Sequence, residues 1–599
     1  MIIGLAGCLV ATGAAQGADP VSYKVQFAPS GDAALDKLLK QTSSLEALRK
    51  KLPPAPFALI GRAKADAAQS LIVLHSLGYD AGEVDITIDG KALDDPGLLA
   101  ALAAAPAHED AAVQVAPHIG QVFHVGQVVL NGLPPGFKPP VTVRPGDVAL
   151  AEPILAGSPA VQLALQNDGY AFATVGMPLA VAMPASHTLN VTYSVTPGPR
   201  VDIGPIAFSG LTRTNPDFLR RHIALKPGQR FSAAHVSQAR DALLGLGVFS
   251  SVTAVPEPAV GNETPVLFRV IEQKRHAVTL SGAYATDTGI SVSTSWEDRN
   301  LFRHAETLTV TATANGLGGT GTTAPGYDLK AVFAKPDYYA RGQTLTLSVE
   351  GLREFLTAYN RTALLLGANL SRPITAHTAI TYGPSFTSEQ VEQEGTSRAY
   401  VLLQFPINFT YNDTDSLLEP THGINAGITL TPSLPVAGSS QPFLILQGQV
   451  ATYIPVESQG RGIVAVRLIA GSILGASTFQ VPPDQRFYAG GSGTVRGYTY
   501  QTIGPLFADD TPEGGSAMDA VNLEFRQHVW GNIGVVPFVD AGQVSRTSAP
   551  FTGTIRVGAG LGLRYYTGIG PIRFDVAFPL TRTAGSGAFA LYVGLGEAF

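Results

Sequence analysis

From His276 onward the chain alternates apolar and small or polar residues in segments of about ten, the period of strands whose two faces meet different surroundings. The last segments are the clearest. Between Gly570 and Arg582, Ile572, Phe574, Val576, Phe578 and Leu580 share one face, and Arg573, Asp575 and Ala577 share the other. Between Ala588 and Phe599, Phe589, Leu591, Val593, Leu595 and Phe599 fall opposite Ala590, Tyr592, Gly594, Gly596 and Ala598. Such segments start near His276, Gly289, Glu306, Tyr327, Gln343, Arg361, His377, Arg398, Gly423, Pro442, Gly462, Ser516, Ile533, Thr554, Gly570 and Gly587. About sixteen antiparallel strands are therefore predicted, an even number as a closed barrel requires.

Three facing sets carry chemistry. In Val521 to Val529, Asn522, Glu524, Arg526 and His528 oppose Val521, Leu523, Phe525 and Val529. Phe538, Asp540 and Gly542 share a face opposite Val535, Pro537 and Val539, and Gly558, Gly560 and Gly562 lie together opposite Leu561 and Leu563. If the apolar faces meet lipid, Glu524, Asp540 and the glycine row face the lumen. Between Gly475 and Ser516 lies a stretch too long for a turn, rich in glycine yet holding Phe487, Tyr488, Tyr498 and Tyr500. A loop of that kind is functional rather than a linker. Val495, Arg496, Gly497 and Tyr498 present a guanidinium at its tip, and that cation needs an anionic partner. Asp540 is the first candidate and Glu524 the second.

The front half carries a different period and repeats it. An apolar helical run, a glycine followed by an aromatic or apolar residue, and paired strands recur around Leu77-Gly78-Tyr79, Asp168-Gly169-Tyr170 and Gly247-Val248-Phe249. Each copy also opens with a strand (Val21 to Phe27, Val122 to Leu130, Val201 to Phe208) and a first helix, so the expected order is strand, helix, helix, strand, strand. For the second copy the closing strands are expected at Ala171 to Met177 and Thr188 to Thr196. Two helices on one face of a three-stranded sheet leave an edge open to an added strand.

Composition narrows the function. Charged residues are 14% and hydrophobic ones 45%, yet after the N-terminus no run approaches the ~18 apolar residues of a membrane helix. Low charge without such helices agrees with transmembrane strands. A net charge of -6 and no Lys/Arg run exclude a general nucleic-acid binder. Met1 to Ala18 reads as a secretory signal, and Leu5-Ala6-Gly7-Cys8 imitates an acylation site holding the only cysteine. Cleavage after Ala18 leaves no thiol for disulfides, zinc-thiolate sites or cysteine catalysis. Gly316 to Gly321 satisfies G-x-G-x-x-G but joins two strands, so it is not a dinucleotide site. No catalytic motif is present, and neither an enzyme activity nor a cofactor nor a metal is expected.

The repeats resemble polypeptide-transport-associated (POTRA) domains. The third matches best, through Ile206 to Gly210, Leu225-Lys226-Pro227-Gly228 and Gly245 to Phe249. The back half resembles the outer-membrane-protein assembly (BamA/TamA) superfamily, whose lumen loop bears V-R-G-F/Y and whose nearby strands bear F-x-D-x-G and G-x-G. Here those motifs are Val495 to Tyr498, Phe538 to Gly542 and Gly558-Ala559-Gly560. The resemblance implies a signal at 1–18, POTRA-like units at 19–117, 118–199 and 200–274, and a barrel at 275–599 with a lumen loop at 475–515. It implies an outer-membrane location with the POTRA units in the periplasm, and contact with membrane lipid and unfolded outer-membrane client proteins. Three units ahead of a barrel resemble the TamA type, which serves clients such as autotransporters and implies a TamB-like inner-membrane-anchored partner. A general assembly factor and a two-partner-secretion channel stay open as alternatives. Closure joins Ala277 to Thr286 with the last strand, where Gly594, Gly596 and Phe599 mark a seam whose glycines either let the terminal strand bend inward or make room for the lumen loop.

Overall fold

The computed structural model describes residues 21–50, 55–104, 110–438, 440–457, 461–581 and 587–599. The expected signal at 1–18, with Cys8, lies outside them. Two compact units divide the chain. One holds the first two soluble sheets with Leu225–Ser237 and Val255–Leu267; the other holds Phe208–Ala224, Gln238–Ala254 and everything from Phe268 onward.

In the first soluble sheet Tyr23–Phe27 pairs in parallel with Ala111–His118, which pairs with Glu83–Ile88, followed by Lys91–Ala92. The long helix Pro56–Ser76 packs Leu59 and Ala63 on the sheet beside Ile86, Ile88 and Val113. This unit is larger than the expected pattern, because a further helix, Leu98–Ala104, is inserted before the last strand. The second unit has less than expected. Its strands His124–Asn131 and Thr188–Thr196 are flanked by one helix, Ala151–Asn167, and no first helix forms between Asn131 and Leu150. There Pro134, Pro135, Pro139, Pro140 and Pro145 remove backbone donors. The strand expected at Ala171 to Met177 is only Thr174–Val175, and the edge is instead Leu179–Met183, paired on Thr188–Thr196. The third sheet, in the order Phe249–Pro256, Glu263–Glu272, Asp202–Ser209, carries both expected helices, Pro216–His222 and Ala233–Gly245.

The second half closes into a barrel of sixteen antiparallel strands. Every observed strand starts within three residues of its expected position. The seventh and eighth strands are each interrupted: Thr378–Tyr382 continues as Ser385–Gln393, and Thr396–Gln404 as Ile407–Asn412. Pro384 and Pro406 sit in the two breaks, where a residue without N–H cannot continue the ladder. The pleat sorts the side chains as the alternation requires. In Ala517–Trp530, Val521, Leu523 and Phe525 are exposed, while Asn522, Glu524 and Arg526 are buried inside. No helix among the described residues is long and apolar enough to cross a membrane; the crossing is by strands.

The ring is unevenly sealed. The first strand, His276–Ala285, pairs with Gly289–Arg299 at all ten of its residues. On its other side it meets the last strand, Ala590–Leu595, only at Tyr284↔Val593 and Ala285↔Tyr592, with Thr286 adding bonds to Leu591. Among the described residues His276–Ala283 therefore offers an unpaired edge.

Candidate functional site: a loop locked in the lumen

The long stretch between Leu474 and Ala517 folds into the barrel. Phe487, Ala489, Val495, Tyr498 and Ile503 pack with the inward Ile469, Ile473, Met518 and Val544 of the wall. Burial of that apolar set gives the loop a fixed path, with only two short 3-10 turns, Thr478–Gln480 and Pro483–Gln485, as regular structure of its own.

Its tip is an arginine held by three carboxylates. The Arg496 Nε donates to Asp540 Oδ2 at 2.7 Å and Nη2 to Oδ1 at 2.9 Å, while its backbone N–H donates to Oδ2 at 3.0 Å. Nη1 donates to Glu524 at 2.7 Å and to Asp575 at 3.2 Å. The guanidinium lies 3.6 Å from the centroid of the Phe538 ring. Arg496 is 2% exposed and its three carboxylates not at all, so none of the four is served by bulk water. A guanidinium suits this place because its planar fork satisfies one carboxylate with two bonds and still has donors for others.

The strand register brings the partners together. Asp540 stands opposite Gly558 and Phe538 opposite Gly560. A Cβ at Gly558 would overlap the carbonyl oxygen of Arg496, and one at Gly560 would overlap the Phe538 ring. Gly542 leaves space for Val495, whose Cγ2 would lie 2.8 Å from an added Cβ. Gly497 has φ +96° and donates its N–H to the Tyr592 hydroxyl at 3.2 Å, so the loop is bonded directly to the last strand. Tyr498 donates to the Thr581 carbonyl at 2.7 Å. On the opposite wall, Arg361 reaches Asp484 of the loop at 3.4 Å, and Arg486 donates to Gln393 at 3.0 Å.

The seam residues are placed less uniformly. Gly594 faces Arg573 in the lumen, and an added Cβ would stay 3.6 Å from that guanidinium. Gly596 has φ +85°, which ends the strand and turns the chain inward. Phe599 is therefore not on the lipid-facing row of the seam as the alternation predicted. The turn at Gly596 breaks the two-residue period, and Phe599 packs inside against Tyr453, Ile463 and Ala465. Its ring is 4.9 Å from the Arg467 guanidinium and 5.4 Å from that of Arg526.

Three further charged residues, Arg526, Glu597 and Arg564, complete the site. Glu524 pairs with Arg526 at 3.0 Å, Arg526 with Glu597 at 3.8 Å, Glu597 with Arg564 at 2.6 Å, and Arg564 with Asp575 at 2.5 Å. With Arg496 between Glu524 and Asp575, the alternating charges close a ring. Asp575 and Arg526 are legible from their parity in the strands. Glu597 is not, because its place inside depends on the bend at Gly596. The turn joining the eighth and ninth strands also reaches this tail: Leu418 accepts from the Glu597 N–H at 2.9 Å and Pro420 from Arg526 at 3.4 Å.

Residues 300–599 match the model of the Omp85 superfamily domain. The chain belongs to the Omp85 superfamily. Residues 201–273 match a POTRA model described as a surface antigen variable number repeat. The outer membrane protein assembly factor BamA of Neisseria meningitidis serogroup B is 22% identical over 544 residues, covering 78% of this chain and 66% of that protein. BamA of Nitratidesulfovibrio vulgaris is 24% identical over 439 residues, covering 69% and 53%. Among solved structures, BamA from Haemophilus ducreyi lacking POTRA domains 1–3 shares the fold, with a TM-score of 0.62 at 18% identity, covering 79% of this chain and 99% of that one. The chain spans between about half and two thirds of the length of these curated relatives. This Omp85 protein is an outer-membrane β-barrel preceded by POTRA-type units on the periplasmic side.

Proposed function

We propose that this protein assists the insertion of outer-membrane client proteins by offering them the unsealed edge of its first barrel strand. The observation that carries this reading is the seam, where ten residue pairs on one side of His276–Ala285 contrast with two on the other. An unpaired edge inside a bilayer leaves backbone groups without partners, and a client strand supplies them. The loop and tail that fill the lumen speak against a steadily open channel. In the soluble part, the edge strand Leu179–Met183 exposes Leu179, Val181 and Met183, which suits capture of an extended chain by strand addition. Insertion then draws on the client's own folding rather than on nucleotide chemistry.

The finer form of the reading is a TamA-like subunit acting on autotransporter-type clients with a TamB-like inner-membrane-anchored partner. It rests on the number of soluble units, and co-purification of such a partner with the full chain tests it.

The main test is a disulfide across the seam, built as Tyr284→Cys with Val593→Cys in a chain whose Cys8 is replaced. Oxidised protein is expected to lose client insertion into vesicles, and reduction to restore it. Equal insertion by locked and reduced protein rejects the seam as the insertion route.

A further inference from the structure

A second site lies on the outside of the barrel, at its periplasmic rim. The helix Pro216–His222 meets the turn that follows the fourth strand, Gly326–Lys335. His222 and Asp337 pair at 2.6 Å, the other His222 nitrogen faces the Ala242 carbonyl at 3.2 Å, and Asp337 also accepts from the Gly342 N–H at 2.7 Å. Both carboxylate oxygens of Asp337 are thus engaged, and helix and turn are held as one body. Beside this pin is a cavity of about 440 Å³ lined by Phe218, Arg221, His304, Lys335, Tyr339 and Arg341. Three of those six are permanent cations, in a chain whose net charge is -6. Asp337 is the one acid on the wall, and its carboxylate is already engaged by His222 and the Gly342 N–H.

The position says what kind of anion belongs there. Lys335 continues the row Tyr327, Leu329, Ala331 and Phe333, and Tyr327 and Leu329 are exposed on the lipid face of that strand. Phe302 is exposed, sits edge-on to Phe333, and extends the apolar wall to the rim. Tyr339 is 96% exposed beside the cavity. Aromatic rings flanked by cations at the end of a lipid-facing row mark the headgroup level of a bilayer. We propose that Arg221, Lys335 and Arg341 bind the phosphodiester of an anionic glycerophospholipid of the periplasmic leaflet, with its acyl chains lying along Phe333 and Leu329. A lipid held there contacts both the last POTRA-type unit and the barrel, and so adds a membrane tie to the His222–Asp337 pin.

Native mass spectrometry of the full chain in detergent, titrated with phosphatidylglycerol, tests the site. Wild-type protein is expected to retain one phosphatidylglycerol at least fivefold more tightly than Arg221→Ala/Lys335→Ala/Arg341→Ala. The charge-matched control Lys37→Ala/Lys40→Ala/Lys64→Ala, on the exposed face of the first soluble unit, is expected to bind as wild type. Charge-retaining Lys335→Arg/Arg341→Lys is expected to keep the lipid, which separates loss of charge from loss of fold. Equal retention by wild type and the triple rim variant overturns the proposal. Displacement of the lipid by millimolar inorganic phosphate overturns it too, because the site is then one for free anions.

Discussion

Arg496 at the tip of the lumen loop and Glu597 in the tail of the last strand never touch, yet two chains of ion pairs join them. One runs through Glu524 and Arg526, the other through Asp575 and Arg564. Loop placement and tail placement are therefore parts of one electrostatic unit. A buried charge stays favourable only while its partners are present, so disturbing either end strands charges belonging to the other.

Glu597→Gln tests that link from the tail. The amide leaves Arg526 and Arg564 sharing Glu524 and Asp575, with one negative charge fewer in the ring. Faster proteolysis of residues 475–516 is expected, although no loop contact has been altered. Unchanged cleavage, with the seam cysteines also joining at the wild-type rate, shows that tail and loop move independently.

From the loop side, Arg496→Ala and Asp540→Ala each strand buried charge, an imbalance that typically costs about 3–5 kcal/mol. Arg496→Lys keeps the charge but not the two-bond grip on Asp540 together with reach to Glu524 and Asp575. Thermal unfolding of the barrel, followed by its heat-modifiable mobility, is expected to rank wild type above Lys and Lys above Ala. A Lys variant equal to wild type makes charge alone sufficient and removes the role given to guanidinium geometry.

Two glycines of the same neighbourhood separate space from flexibility. At Gly558 an added methyl overlaps the Arg496 carbonyl, whereas at Gly493 nothing lies within 4 Å of one. Gly558→Ala is expected to dislodge the loop, and Gly493→Ala to leave protease resistance within the range of surface substitutions, about ±0.5 kcal/mol. Equal behaviour of the two variants contradicts the close approach of loop and wall.

Most of the barrel was legible because a period of two is enforced wherever lipid lies on one side. Glu524, Asp540 and the glycines at 558 and 560 could be assigned to the lumen from parity alone. Parity fails where the backbone leaves the sheet, and so it misplaced Phe599, which follows the left-handed turn at Gly596. It was equally silent about Glu597. The second soluble unit was misjudged for another reason. The repeat pattern imposed a first helix after its opening strand, where the prolines between Asn131 and Leu150 deny the backbone the donors a helix needs. The loop's partners were partly visible: Asp540 and Glu524 could be named, whereas Asp575 stood in the right row without anything to single it out. Its role depends on the curvature that brings the fifteenth strand, Gly570–Pro579, towards the twelfth and thirteenth, and no local signal encodes that.

At the barrel entrance, Glu272 ends the last soluble strand and gathers the segment that follows the third unit's opening strand. Its carboxylate accepts from the Thr214 N–H at 2.8 Å, the Arg213 N–H at 3.1 Å and the hydroxyls of Thr212 and Thr214 at 2.5 and 2.7 Å. Thr214 in turn accepts from Asn300, and Arg303 donates to the Arg213 carbonyl at 2.7 Å, so the cluster ties this segment to the turn after the second barrel strand. Burial alone would raise the Glu272 carboxyl, but the Thr212 hydroxyl and the Thr214 and Arg213 donors outweigh it and bring the group from 4.5 down to about 2. Because the folded value lies below the unfolded one, the carboxylate's contribution is complete above pH 4.5 and is lost as the pH falls from there through about 2. Hydrogen bonds to a charged acceptor contribute about 1.5–3 kcal/mol, so Glu272→Gln is expected to open the segment at neutral pH. Amide exchange at Arg213 and Thr214, corrected for intrinsic rates, should show wild-type protection that declines below pH 4. The variant should show lower protection with no such decline. Wild-type protection independent of pH between 6 and 2.5 removes Glu272 as the holder of this junction.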